Sequence, residues 1–189
     1  MLKYLGRDAD VSERRLKYAR FERERRFLLR GLPEGLAPAD PHLQIFDNYL
    51  HGTRLRLRKV RDPHSREWTW KLTQKFAPDA SDLSRTLITN LYLSREEYEI
   101  LSVFEADELR KNRYAFEHEG RRFSVDVFLG SLRGLLLAET EFDSDEAMRA
   151  FEPPPFAALE VTGDETFTGA RLVHLTADQL REELSRRER

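Results

Sequence analysis

Two kinds of charged residue recur at alternate positions along this chain. Glu22 and Glu24 are one residue apart, as are Glu139 and Glu141, while Arg54, Arg56 and Arg58 form a basic row. Lys71 and Lys75 alternate with Trp70 and Leu72 alongside Thr69 and Thr73, and Lys111 stands one residue from Arg113. In extended backbone alternate side chains share a face, so each row points one way. Asp126 likewise faces away from Val125 and Val127. Carboxylates hold Mg2+ or Mn2+ through oxygen, and the bound ion bridges to phosphate oxygens. Guanidinium and ammonium groups grip the same phosphates. Acidic rows alone would repel a polyphosphate, and basic rows alone would bind it without a metal. Together they have the composition needed for metal-assisted phosphoryl transfer, where positioning and charge neutralisation supply most of the catalysis.

The elements that must position these rows are mostly strands. In residues 21–29, Glu22, Glu24, Arg26 and Leu28 face one way and Phe21, Phe27 and Leu29 the other. Further strands are predicted at 44–50, 53–60, 67–76, 83–93, 110–117, 121–129 and 135–142, with a briefer one at 158–162. Asp62-Pro63-His64-Ser65 and His118-Glu119-Gly120 turn two of the hairpins. Ser94-Arg95-Glu96-Glu97 has the form of a capping box ahead of a helix, and Ser144 is a candidate N-cap for a short helix through Phe151. Thr176 to Gln179 opens a C-terminal helix with Leu180 and Leu184 on its apolar side. The class is α+β, with about eight antiparallel strands by hairpin spacing. Two architectures accommodate them. An open sheet would turn its charged faces to water. A closed barrel would turn them inward, where buried ions need partners.

Composition narrows the function. The 189 residues are 40% hydrophobic, which fits one domain with a real core, and the formal net charge of -2 leaves no bulk-charge footprint for nucleic acid or membrane. Arg54, Arg56 and Arg58 could form a basic ribbon, but acidic strands accompany them, so nucleic acid is not the expected partner. The chain has no cysteine, which excludes disulfides and thiolate chemistry. No run is long enough to cross a bilayer, and the charged start lacks the apolar centre of a signal peptide, so a cytoplasmic protein is expected. Residues 1–20 are predicted to be a charged N-terminal extension and 21–189 the domain. The histidines His42, His51, His64, His118 and His174 show no ligand spacing and are expected at the surface.

The ordered pieces Glu22-x-Glu24-x-Arg26, Leu55-Arg56-Leu57-Arg58, Leu72-Thr73-Gln74-Lys75, Lys111-Asn112-Arg113-Tyr114, Val125-Asp126-Val127-Phe128, Ala138-Glu139-Thr140-Glu141 and Glu160-Val161-Thr162-Gly163-Asp164 resemble the CYTH domain of the triphosphate tunnel metalloenzymes. The resemblance runs from Phe21 to Leu172. It implies an eight-stranded antiparallel tunnel with flanking helices, dependent on Mg2+ or Mn2+. It also implies hydrolysis of a small triphosphate, inorganic tripolyphosphate above nucleoside or thiamine triphosphate, with release of orthophosphate. By the same resemblance Glu22, Glu24, Glu139 and Glu141 would be metal ligands, and Asp126 a tunnel carboxylate that helps the metal or orients a base. Arg26, Arg56, Arg58, Lys75, Lys111 and Arg113 would hold phosphate oxygens, and Tyr49 with Lys75 would form a catalytic dyad. The chain departs from the family where Arg26 replaces a lysine. It departs again where Leu87 and Thr89 are expected to replace a tunnel Glu pair, and where Glu165-Thr166-Phe167 stands in place of basic residues and a tyrosine. A class IV adenylyl cyclase and a non-catalytic polyphosphate binder are the alternatives.

Overall fold

Alternation of charged and apolar side chains is satisfied when one sheet face curls inward and the other is covered. The computed structural model, which describes residues 18–187, shows this arrangement. Its strands are β1 (Arg20–Leu28), β2 (His42–Leu50), β3 (Leu55–Arg61), β4 (Trp68–Phe76), β5 (Arg85–Leu93), β6 (Ala106–His118), β7 (Arg121–Phe128), β8 (Leu136–Glu141) and β9 (Leu159–Glu160). The helices are α1 (Arg95–Leu101), α2 (Asp145–Ala150), α3 (Gly169–Leu172) and α4 (Ala177–Arg187). The expected extension at 1–20 falls almost wholly outside the described residues. No helix among the described residues is long and apolar enough to cross a membrane.

Neighbouring strands run in the order β5-β4-β3-β2-β6-β7-β8-β1, every pair antiparallel. Pairing of Arg20 with Ile88 through Arg23 with Arg85 joins β1 to β5 and closes an eight-stranded barrel. The closure consumes only the first half of that edge of β1. Further along, β9 takes the edge, with Phe27 opposite Glu160 and Leu28 opposite Leu159, so the brief ninth strand lies outside the barrel. The β6–β7 turn is tight because Glu119 (φ 50°) and Gly120 (φ 73°) both take the left-handed conformation that matches strand twist. The three predicted caps are present: Ser94 and Glu97 satisfy each other's backbone N–H groups, Thr176 and Gln179 do the same, and Ser144 accepts from Ala147 N.

Apolar residues collect in two places. Phe27, Leu29, Phe123, Val125 and Ala138 form the outer face of β1, β7 and β8, covered by Phe151 and Phe156. At one end of the barrel Leu28, Leu109, Phe128 and Leu137 meet Phe167, Leu172 and Leu180 from the C-terminal segment, which closes that end. The short helix α3, which carries no recognisable cap or periodicity, belongs to this closure. Strand β6 begins four residues earlier than its sequence suggests. Ala106 to Leu109 have weak strand propensity but pair with Leu50 to Asp47, so tertiary pairing decides.

The expectation for β5 is corrected by one residue. Thr86, Ile88 and Asn90 line the interior, and Thr73, the register partner of Asn90 on β4, donates to it. Leu87, on the alternate face, does not line it, and Thr89 shares that alternate face. A one-residue slip reverses every side chain, so the interior positions of β5 are held by Thr86, Ile88 and Asn90 rather than by Leu87 and Thr89.

Candidate active site

The barrel encloses a cavity of about 1420 Å³ lined by the charged rows. The first row comes from β1, where Glu22, Glu24 and Arg26 are all at least nine-tenths buried. Lys75 of β4 reaches across to them, its Nζ 3.0 Å from both Glu24 oxygens and 3.0 Å from Glu22 Oε2. Arg26 donates to Glu24 at 2.7 Å and to Glu139 of β8 at 2.9 Å. Glu139 accepts in turn from Arg113 of β6 at 2.7 Å. Arg113 also forks onto Asp126 of β7, at 2.6 Å through both nitrogens, and Lys111 donates to the same carboxylate at 2.5 Å. Five strands thus contribute to one continuous chain of alternating charge, Lys75–Glu24–Arg26–Glu139–Arg113–Asp126–Lys111.

A second, separate group sits on β2 and β3. Asp47, 1% exposed, accepts from Arg58 Nε at 2.5 Å and Arg58 NH2 at 2.6 Å, and lies 3.5 Å from Arg56 Nε. Asp47 and Asp126 therefore play the same part: each fully buried carboxylate holds the two cations of the adjoining strand. Asp47 was not among the sequence candidates. Its parity was the available signal, since Asp47 stands two residues from Tyr49 and shares its face of β2.

The electrostatics follow from these partners. Burial pushes the Asp47 carboxyl up, but Arg56 and Arg58 outweigh it and hold the group far below the usual carboxylate range. Burial of Glu139 is likewise overcome by Arg26 and Arg113, leaving it well below its ordinary value. Burial opposes the proton on Lys75, but Glu24 and Glu22 raise it, so this lysine stays an ammonium. Lys111 is lowered, by burial and then by Arg113, against the pull of Asp126. Glu141 behaves differently. It stands at the unclosed end, opposite Glu24 in register, with no cation paired to its carboxylate among the described residues. Partial burial and then Glu22 push it upward.

These groups supply the oxygen donors that Mg2+ and Mn2+ prefer. Glu141, lifted by burial and by neighbouring carboxylates, is the member short of positive charge. Yet among the described residues no group of three or more acidic, histidine or cysteine side chains gathers on a point that could hold an ion. Glu22 and Glu24 close on Lys75 instead, and both Asp126 oxygens are taken by Lys111 and Arg113.

The remaining sequence candidates are distributed as follows. Tyr49 lies beside Arg56, whose guanidinium is 5.9 Å from its ring centre, and its hydroxyl presses on α3 at Gly169. No hydrogen bond joins Tyr49 to Lys75. Two histidines expected at the surface are exposed there and also converge: His51 Nε2 and His174 Nδ1 lie 3.0 and 3.2 Å from Asp107 Oδ2, linking the β2–β3 turn to the end of α3.

A closed eight-stranded antiparallel barrel whose interior alternates carboxylates with guanidinium and ammonium groups defines the class of tunnel proteins built around phosphate chains. This chain belongs to the CYTH, or triphosphate tunnel metalloenzyme, family. It is 32% identical over 162 residues to an inorganic triphosphatase of Nitrosomonas europaea, a match spanning 80% of this chain and 95% of that protein. An inorganic triphosphatase of Acetivibrio thermocellus is 38% identical over 96 residues, covering 45% and 60% respectively. Among solved structures, the inorganic triphosphatase NE1496 superposes with a TM-score of 0.53 at 27% identity, over 80% of this chain and 93% of the other. No protein-family model matches the chain.

Proposed function

We propose that this protein hydrolyses the terminal phosphoanhydride bond of a small triphosphate, inorganic tripolyphosphate first, with Mg2+ or Mn2+ as cofactor. The observation that carries the reading is the continuous acid–base chain inside a closed barrel, and the two relatives named inorganic triphosphatase support it. Glu22, Glu24 and Glu141 would hold the cation, with Glu139 behind them on Arg26. The ion would neutralise phosphate charge during transfer. Arg56, Arg58, Lys111, Arg113 and Arg26 bind and orient the phosphate chain, preset by Asp47, Asp126 and Glu139.

Water attacks the terminal phosphorus, the anhydride P–O bond breaks, and pyrophosphate leaves with the bonding pair while orthophosphate forms. Lys75 keeps its proton while Glu24 and Glu22 flank it. With those carboxylates drawn onto a cation, burial would favour the neutral amine, its proton passing to solvent, and that form would accept the proton of the attacking water. Tyr49, beside Arg56, steers that arginine.

A second reading, a non-catalytic polyphosphate binder, is favoured by one observation: the inner face of β5 presents Thr86, Ile88 and Asn90 and no carboxylate. A phosphate-release screen over tripolyphosphate, ATP, thiamine triphosphate and pyrophosphate, with Mn2+, with Mg2+ and with chelator, separates the readings. Metal-dependent release from tripolyphosphate is expected. A rise in melting temperature with tripolyphosphate but no release would select the binder, and cyclic AMP formed from ATP would select a cyclase.

A further inference from the structure

The inner face of β5 lines the tunnel with Thr86, Ile88 and Asn90, and so brings no charge to it. Asn90 is half-buried there. Its register partner on β4 is Thr73, which is fully buried and stands in turn opposite Arg56 of β3. Arg56, Thr73 and Asn90 therefore form one row across three strands. Lys75, opposite Ile88, and Lys71, opposite Tyr92, are the diagonal neighbours of Asn90, a spacing that long side chains reach across. No carboxylate stands in the row or at either diagonal, so this amide sits among cations.

An asparagine side chain carries an acceptor and two donors, and which edge it shows to the lumen depends on what holds the other. Thr73 decides the matter by donating its hydroxyl proton to Asn90 Oδ1 at 2.7 Å. That hydroxyl has no other acceptor among the described residues, and at 0% exposure it has no access to water. Turning the amide over would leave a buried hydroxyl proton without a partner. The oxygen therefore stays on Thr73 and the Nδ2 edge is left over, with no acceptor among the described residues. A donor edge fixed among cations on a cavity wall lacks only an acceptor, and an anionic phosphate oxygen is the acceptor suited to such surroundings.

We propose that Asn90 is a further substrate-binding residue, donating from Nδ2 to a phosphate oxygen of the bound triphosphate, and that Thr73 is the positioning residue that keeps the amide turned for it. The assignment deepens the triphosphatase reading and rests on it for the identity of the anion. It gives β5 a part in recognition that needs no charge and no metal.

Calorimetric titration with tripolyphosphate, in chelator and in Mn2+, tests it on wild type, Asn90→Leu, Asn90→Asp, Thr73→Val and the double variant Thr73→Val/Asn90→Leu, alongside melting curves and phosphate release. Asn90→Leu should bind about tenfold more weakly, the loss of one hydrogen bond to a charged group. Asn90→Asp still accepts the Thr73 proton, so the wall is kept, but it sets carboxylate oxygens where donors stood and should bind more weakly still. Thr73→Val should cost about twofold, because the released amide spends about half its time reversed. The double variant should bind as Asn90→Leu does, since Thr73 acts only through Asn90. A pair that merely holds the wall together would lower the melting temperatures and leave the affinity of the folded protein unchanged. Wild-type affinity in Asn90→Leu and Asn90→Asp, or losses at the two positions that add, would overturn the assignment. If Asn90→Leu weakens binding but wild type releases no phosphate, the hydrolase reading fails and Asn90 keeps its role. Release by wild type with unaltered binding in Asn90→Leu gives the reverse.

Discussion

Replacing Asp47 with asparagine keeps the shape of the side chain and removes the charge that anchors Arg58 and Arg56, the two arginines proposed to bind phosphate. Asp47 is 1% exposed and Arg58 8%, so solvent screening does little to soften the loss. In the variant Arg58 keeps no ionic partner among the described residues, and the cost is that of an orphaned buried charge. Breaking such a pair costs about 3–5 kcal/mol, and the retained amide dipole places Asp47→Asn near 3 kcal/mol. For a domain of this size each kcal/mol lowers the melting temperature by about 2–4 °C, so a fall of roughly 6–12 °C is expected at pH 7. The pH dependence gives the stricter test. The folded-state value of Asp47 is depressed below its unfolded value, so its stabilisation is complete above about pH 4 and declines as pH falls toward the lower folded value. Melting curves of both proteins from pH 8 to pH 2.5 should therefore stay a constant distance apart down to about pH 4, then converge. A gap under 2 °C at pH 7, or convergence beginning near pH 6, would refute the role of Asp47 as the ionised anchor.

Glu24→Ala should abolish metal-dependent phosphate release while the far-ultraviolet circular dichroism stays that of wild type; unchanged turnover would remove Glu24 from the site. Gly169→Ala would place a Cβ 2.0 Å from the Tyr49 hydroxyl and 3.0 Å from its Cζ, so the ring must swing away from α3. Overpacking of this kind costs about 1–3 kcal/mol. Adding Tyr49→Phe, which deletes the clashing oxygen, should restore most of the melting temperature, and a double variant no more stable than Gly169→Ala would count against that contact.

How far the sequence reaches is clearest from single residues. Alternation placed Glu22, Glu24 and Arg26 on one face of β1 and Arg56 and Arg58 on one face of β3, because side-chain direction in a strand depends only on parity. The capping boxes at Ser94 and Thr176 were legible for a similar reason, each being complete within four residues. Parity must be counted from a fixed point, however, and β5 offered none. Its run of Thr, Leu, Ile and Asn carries no charge to mark the inner face, and the match to the family placed Leu87 and Thr89 there, one residue out of step. Pairing with β1 and β4 settles the face in the folded protein.

What local pattern cannot reveal is which charges will be consumed by one another. Asp126 looks like a ligand when read along β7, and only the neighbouring β6 shows that Lys111 and Arg113 have already claimed both of its oxygens. The same logic separates Lys71 from Lys75: one strand and one face, four residues apart, yet one lies between two carboxylates and the other among guanidinium groups. Barrel closure creates that difference: pairing β1 with β5 brings Glu22 and Glu24 within reach of Lys75, while Lys71 stands opposite Arg58 of β3. A tunnel that neutralises most of its own charge leaves Glu141 without a paired cation among the described residues, and that is why Glu141 belongs to the set proposed for a cation from outside.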